Sequence, residues 1–585
     1  MHFKHNCRKI TPSHRRTNRT KQRLNRNTTL EALRQNPDVP VLIIGAGVNG
    51  IGVLRDLALQ GVDALLIDKS DFCAGTSAAS GRVAHGGLRY LENGEFRLVR
   101  EALHERNRLL INAPHCVVPL PIAMPAYSWT KGLLHAARQF LHLKSRPGDR
   151  GVAILKLGMT LYDVYSGRGT LPAHRFISRK ASLENRPGMN PAITCTALYY
   201  DALILYPERL CLELIFDAAE SHPNAHALNY VSAVGIEGKS VLLRDELTGE
   251  KFPISPQIVV NATGAWIDLT NRTMQVESAF IGGTKGSHLI VDHPDLHRLC
   301  QGQMLFYVNN DARICIFYPL GHRVLIGTTD ISANDPDSVV CAEDEIEYLL
   351  QSICKVFPDI RLDRSHIVYT FSGIRPLPKS SALTAGQISR DHSDQIIESG
   401  KGLPFRIHNL VGGKWTTYRA FAEQVTDRLL SELGEKRKAD TRALRIGGGR
   451  EFPTTDEQRR VWIKRIAEKT LMDEQRIDVL LTRYGTRAEI IAAYCASDED
   501  EPLDHHADYT RREIRFMVEH EHVARLDDIL QRRTMIAILG ETTIPLLEEI
   551  AGIMATVFGW TEAQQRDEIA RVIRLFAEKH RTVLS

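Results

Sequence analysis

The stretch 39–71, VPVLIIGAGVNGIGVLRDLALQGVDALLIDKSD, constrains the fold more than any other part of this sequence. Val41–Ile44 reads as a short buried strand and Ala64–Ile67 as a second one. Between them Gly45, Gly47 and Gly50 form G-x-G-x-x-G at the head of a helix. Without Cβ atoms the backbone turns sharply and approaches a pyrophosphate, which the helix N-terminus attracts. Asp68 ends the second strand, where its carboxylate can accept from a ribose hydroxyl. A dinucleotide-binding α/β domain is expected, and at this point NAD and FAD both fit.

A chain of 585 residues is too long for one ordinary core, so two or more domains are expected. With 43% hydrophobic and 25% charged residues, the composition is that of a soluble globular protein. No apolar run reaches the roughly 18 residues of a membrane-spanning helix, although attachment to one membrane face stays open. The net charge of +4 is uneven, with ten Lys/Arg against the single acid Glu31 in residues 1–36. That tail has little apolar content and reads as a disordered extension. Arg15-Arg16 suggests an export signal, but no apolar stretch follows, so export is not expected. Ten scattered cysteines without CxxC or zinc-like spacing point to buried thiols in a reducing compartment and to no metal site.

A second segment, PQIVVNATGAW (256–266), is an apolar strand running into Asn261-Ala262-Thr263-Gly264. Flavoproteins of the glutathione-reductase type often return such a strand beneath the cofactor, which favours FAD.

The sequence then resembles the FAD-dependent glycerol-3-phosphate dehydrogenases of the aerobic, quinone-linked type, from about residue 38 onward. The resemblance rests on TSAASGRVAHGGLRYLENGEFRLV (76–99), GTKGSHLIV (283–291), IGTTD (326–330), SGIRPL (372–377), GGKWTTYRAFA (412–422) and EIRFMVEHEHVARLDDILQRRT (513–534). Gln60 stands where the family has arginine. The resemblance implies an α/β fold: a Rossmann-type FAD domain like those of glutathione reductase and D-amino-acid oxidase. An interleaved mixed-sheet substrate domain shares residues 37–436 with it, and 437–585 forms an α-helical cap able to dimerise. The implied cofactor-binding residues are Gly45, Gly47, Gly50, Asp68, Thr76, Ser77, Gly86, Gly87, Gly264, Gly413 and Thr416.

The implied reaction is oxidation of sn-glycerol 3-phosphate to dihydroxyacetone phosphate, with hydride passing from C2 to flavin N5. A phosphate dianion is costly to desolvate and calls for several cations. Arg89, Arg375 and Lys414 are the candidates. Histidine suits the proton transfer because its ordinary pKa lies near neutrality. His85, beside Gly86-Gly87 where a flavin could lie close, is the preferred base. His288 is read as a substrate contact or orienter, and Tyr90 as a bond to a substrate oxygen. WTTYRAFAEQVTDRLL reads as a helix starting near Thr416 or Thr417, either of which can cap it. Tyr418, Phe421, Val425 and Leu429 form its apolar stripe.

Residues 129–144, WTKGLLHAARQFLHLK, read as a basic amphipathic helix suited to an anionic interface. With the resemblance, this implies attachment to the inner face of the cytoplasmic membrane and electrons passing to quinone; a nucleic-acid partner is not expected, although the basic tail 1–36 leaves contact with anionic lipid or nucleic acid as an alternative. An oxidase using oxygen, or a related amine or 2-hydroxy-acid oxidase, is the alternative. The C-terminal runs DEQRRVWIKRIAEKTL, EIRFMVEHEHVARLDDIL and IPLLEEIAGIMATVFG are helical in pattern, and the sequence has no EF-hand loop of the D-x-D-x-D-G type.

Overall fold

A computed structural model describes residues 26–91, 95–130, 151–167, 170–311, 313–333, 335–379, 391–400 and 402–584, the side chains of Arg89 and Tyr90 excepted. Residues 1–25 and 131–150, which hold most of the basic tail and of the expected amphipathic helix, lie outside this set.

Two sheets carry the fold. The spine of the first runs, in spatial order, Ser393–Ile397, Arg406–Val411, Lys251–Asn261, Asp38–Ile44, Ala64–Ile67 and Ala225–Leu228. Asp38–Ile44 is central and parallel to both neighbours. It reads as an apolar run because both its faces are covered, and Val41, Leu42 and Ile43 are wholly buried. Helix Val48–Gln60 leaves the glycine turn and packs on helices Pro207–Ser221 and Tyr418–Leu433. It ends on Gly61 in the left-handed conformation, φ 76. Beside that end Gln60 accepts from the amides of Lys438 and Ala439 at 2.7 and 3.0 Å. The residue that departs from the family pattern thus anchors the linker to the C-terminal helices.

The second sheet has ten strands, including Thr284–Val291, Ile367–Arg375, Val117–Ala126 and Cys195–Ile204. Its strands fall between those of the first sheet in sequence, so the two domains are interleaved. Period-two side-chain placement divides its faces. Leu289 and Val291 join the core beneath helix Glu343–Ser352. Ile290, between them, joins the core shared with the C-terminal helices.

The C-terminal region is helical, and Thr455, Asp473, Thr510, Thr543 and Thr561 cap its helices through their side-chain oxygens. One expected helix is broken. Arg511–His520 stops, the chain turns at His522 (φ 55), and a new turn starts at Leu526. The break has a cause on each side. Glu521 is drawn into a buried bidentate pair with Arg209 at 2.6 and 2.7 Å. Asp528 accepts from the amides of Ala524 and Arg525. His522 itself is half-buried, its ring against those of Phe72 and Phe216.

The expectation of disorder across 1–36 is corrected for its last third. Arg26–Gln35 forms a helix that buries Leu30 and Leu33. The low apolar content of the whole tail hid this local i, i+3 pair. Arg26 pairs with Asp245 at 2.7 Å and Arg34 with Glu250 at 2.6 Å, which docks the helix on the first sheet.

A buried ionic cluster seats the helical region on the domain of the first sheet. Arg533 grips Asp71 with two bonds of 2.7 and 3.0 Å, and Arg532 Nε reaches the same carboxylate at 2.6 Å. Arg532 also bonds Asp527 and Asp528, and Asp528 accepts from Tyr230. Burial alone would raise the Asp71 pKa, but Arg533 and Arg532 override it and hold the carboxyl well below its usual range.

Candidate active site

The glycine turn is built as the motif requires. Gly45 has φ +106, and a Cβ there would meet Ala262 C at 2.7 Å. A Cβ on Gly50 would stand 2.1 Å from Gly45 O, so that glycine serves strand–helix packing. Ser77 Oγ accepts from the Val48 amide at the helix start, 3.0 Å away. The Asp68 carboxylate accepts from the amides of Ala46 (2.7 Å) and Ser70 (2.9 Å). Burial pushes its pKa up to about 6, against the pull of those two amides. It is therefore first a brace for the turn, and it also lines the cavity.

That cavity, about 1390 Å³, opens between the two sheets and extends under the C-terminal helices. Gly45, Gly47, Asp68, Thr76, Ser77, His85, Gly87, Gly264, His288, Arg375, Gly413, Lys414 and Thr416 all line it. Cross-links between distant segments explain the convergence. Thr416 Oγ1 accepts from the His85 amide (3.0 Å) and donates to the His85 carbonyl (3.2 Å). Trp415 Nε1 donates to Ser77 O at 2.8 Å. Thr76 Oγ1 donates to Ile374 O at 2.7 Å. The loop 76–81 is thus stitched to the strand bearing Arg375 and to the turn bearing Lys414.

Gly86 departs from the expectation that it makes room for a cofactor. It does not line the cavity; a Cβ there would strike Leu103 Cδ2 at 2.3 Å and Tyr162 Oη at 2.6 Å. Its bare backbone serves the protein side of the turn, and Gly87 (φ +76) faces the cavity. Thr416 and Thr417 also depart: helix Tyr418–Leu433 starts as expected, but no side chain caps it. Thr416 is committed to His85 instead. The stripe Tyr418, Phe421, Val425 and Leu429 is buried as read. The side chains of Arg89 and Tyr90 lie outside the described residues.

The Arg375 guanidinium is held in a fixed orientation. Nη1 donates to Asp330 at 3.1 Å, and Nη2 donates to Thr328 Oγ1 (3.0 Å) and Thr329 O (3.1 Å). Thr329 is in turn braced by the buried Glu345 at 2.6 Å. His288 stacks on Phe371, ring centroids 4.7 Å apart and nearly parallel. Burial, assisted by Arg375, pushes its pKa down to about 3, so the ring is neutral at ordinary pH. Its Nδ1 is buried without a hydrogen-bond partner. Glu345, Asp330 and Thr328 were not assigned from sequence, although Thr328 and Asp330 stand inside the quoted IGTTD motif. Of potential metal ligands, one group forms among the described residues: His115, Cys116 and Glu213. There His115 Nε2 meets Glu213 Oε2 at 2.7 Å, a hydrogen-bonded ion pair.

The glycine turn at the head of helix Val48–Gln60, the cavity it lines and the Asp68 carboxylate beside it fit FAD. Residues 40–417 match the family described as FAD dependent oxidoreductase. The chain belongs to that family. Its cofactor is FAD. Residues 439–565 match the C-terminal domain of alpha-glycerophosphate oxidase. A glycerol-3-phosphate dehydrogenase of Synechocystis is 34% identical over 571 residues, covering 92% of this chain and 96% of that one. A D-erythritol 1-phosphate dehydrogenase of Brucella abortus is 31% identical, covering 84% and 93%. The fold matches that of a glycerol-3-phosphate dehydrogenase from Bacillus halodurans complexed with FAD, TM-score 0.73 at 21% identity, over 96% and 98% of the two chains.

Proposed function

We propose that this flavoenzyme oxidises sn-glycerol 3-phosphate to dihydroxyacetone phosphate and passes the electrons to a membrane quinone. The observation that carries the reading is one cavity lined both by the dinucleotide turn and by Arg375, Lys414, His85 and His288. Arg375 and Lys414 offer the cations that a phosphate dianion needs when it leaves water. His85 takes the proton of the C2 hydroxyl, as an imidazole placed within hydrogen-bond reach can. His288, kept neutral, orients a substrate oxygen without adding charge. FAD supplies the hydride acceptor when bound. The start of helix Tyr418–Leu433, reached through Thr416, favours negative charge nearby by about 0.3–1 kcal/mol.

Quinone reduction calls for contact with a membrane face. No helix among the described residues is long and apolar enough to cross one. Helix Val152–Ser166, which follows the basic segment 131–150, exposes Leu157 and Val164, and Trp129 precedes the same segment and is 64% exposed. Apolar side chains beside basic ones suit an anionic interface, and this supports attachment at the inner face of the cytoplasmic membrane.

Anaerobic mixing of the holoenzyme with glycerol 3-phosphate should bleach the flavin absorbance. No bleaching would refute the substrate, and faster bleaching by D-erythritol 1-phosphate would transfer the assignment to that four-carbon phosphate. Turnover with a quinone analogue and little peroxide is expected; rapid peroxide release without quinone would make it an oxidase.

A further inference from the structure

Behind the His85–Gly87 turn lies a buried polar network centred on Asp201, which reaches the cavity wall. Gly86 N–H donates to both Tyr162 Oη (2.8 Å) and Asp201 Oδ1 (3.2 Å). Tyr162 Oη donates to the same carboxylate oxygen at 2.5 Å. Arg106 Nη1 reaches it at 2.9 Å and also donates to Tyr200 O at 3.1 Å. The Tyr162 hydroxyl thus spends its single proton on Asp201 and offers a lone pair to Gly86. All three side chains are almost fully buried. Burying a carboxylate is costly, and here an arginine, a phenol and an amide converge on its Oδ1 to offset that cost in part.

The three side chains come from separate elements. Arg106 lies on helix Phe96–Asn112, Asp201 on strand Cys195–Ile204, and Tyr162 on helix Val152–Ser166. Arg106 Nη2 also donates to Ser166 Oγ at 2.5 Å, and Asn107 Nδ2 to Ser166 O at 2.8 Å, which ties the two helices together at that end. Above the network, Thr416 holds both backbone groups of His85. The turn is therefore clamped from both sides, by Thr416 at His85 and by Tyr162 and Asp201 at Gly86.

We infer that Tyr162 and Asp201 are positioning residues for the reductive step: they fix the Gly86 amide and so set the place of the His85 imidazole over the reacting carbon. The inference rests on the proposed role of His85. Neither residue need touch the substrate. A group that takes a proton must be held within hydrogen-bond reach of it, and small displacements are costly in rate. Tyr162 brings a second consequence. It sits on the same helix whose outer face exposes Leu157 and Val164, so one hydroxyl joins that surface helix to the base-bearing turn.

The test uses the full-length holoenzyme and the Tyr162→Phe and Asp201→Asn variants, with Thr160→Ala on the exposed face of the same helix as control. Amide hydrogen exchange across residues 83–91 and the stopped-flow rate of bleaching by glycerol 3-phosphate are read together. Tyr162→Phe should speed exchange at Gly86 at least tenfold and slow bleaching about tenfold, with KM within twofold and FAD still bound. Asp201→Asn should act in the same direction, and Thr160→Ala should change neither. Bleaching within twofold of wild type in both variants overturns the inference, whatever exchange does. Should the wild type itself not bleach, the proposed substrate fails separately, and exchange alone then decides whether these residues clamp the turn.

Discussion

Arg533 meets Asp71 at 2.7 Å and Arg375 meets Asp330 at 3.1 Å, yet the two pairs occupy opposite settings. Arg533 and Asp71 have no exposed side-chain surface, and three more charged groups close around them. Arg375 and Asp330 keep 21% and 26% of their side-chain surface and face the cavity. An ion pair sealed from water is expensive to open, because one partner is left charged and dry. An ion pair at a cavity wall is worth little by itself, and its cation keeps open surface on which a second anion can settle. The chemistry of the pair is the same in both places; burial decides whether it serves as a rivet or as a receptor.

The largest effect that would break this comparison concerns catalysis. Arg375→Ala or Lys414→Ala should lower kcat/KM for glycerol 3-phosphate about 10³-fold, about 4 kcal/mol, with FAD retained. Steady-state kinetics and flavin absorbance check it, and unchanged bleaching in both variants would remove these cations from the site. Next in size, Arg533→Ala should cost about 3 kcal/mol of stability, because Asp71 then keeps Arg532 as its one remaining cation. Denaturant or thermal unfolding measures it, whereas Arg375→Ala should unfold much as wild type does.

The pH dependence sharpens the contrast further. The Asp71 pKa is depressed on folding, so its stabilisation is present above the unfolded value near 4 and is lost as pH falls below it. Arg533→Ala should therefore flatten the acid limb of stability. The alkaline side has its own group. Despite burial, Cys116 and Glu213 raise the His115 pKa to about 10, so its contribution is complete below about 6.5 and is lost as pH rises toward 10. His115→Gln should remove that alkaline slope in thermal melts taken across the range. Smallest of all, Asp330→Asn should change KM by no more than about fivefold, because only a partly exposed pair is lost.

The sequence was most legible where backbone geometry does the work. Gly45, Gly50 and Ala262 form a contact that no other residue types would allow, and the G-x-G-x-x-G pattern announces it. The strands 41–44 and 64–67 and the stripe of helix 418–433 were equally readable, because burial imprints a period on composition. Side-chain partners were less visible. Nothing in the spacing ties Tyr162 to Gly86 or Asp71 to Arg533, since those contacts join elements far apart in the chain. Gly86 was misread for the same reason: a glycine needed by Leu103 looks, in sequence, like one needed by a ligand. Helix 26–35 was hidden by averaging over a charged tail, and the break at 521–525 by a run of good helix formers.

Asp68 and Asp71 stand three residues apart in one short loop, the first bracing the dinucleotide turn and the second gripping the helical cap. One loop thus carries a residue for the crevice and a residue for the cap. Any ligand whose binding favours the docked form of this loop is favoured in turn, and by the same free energy, by the seated cap.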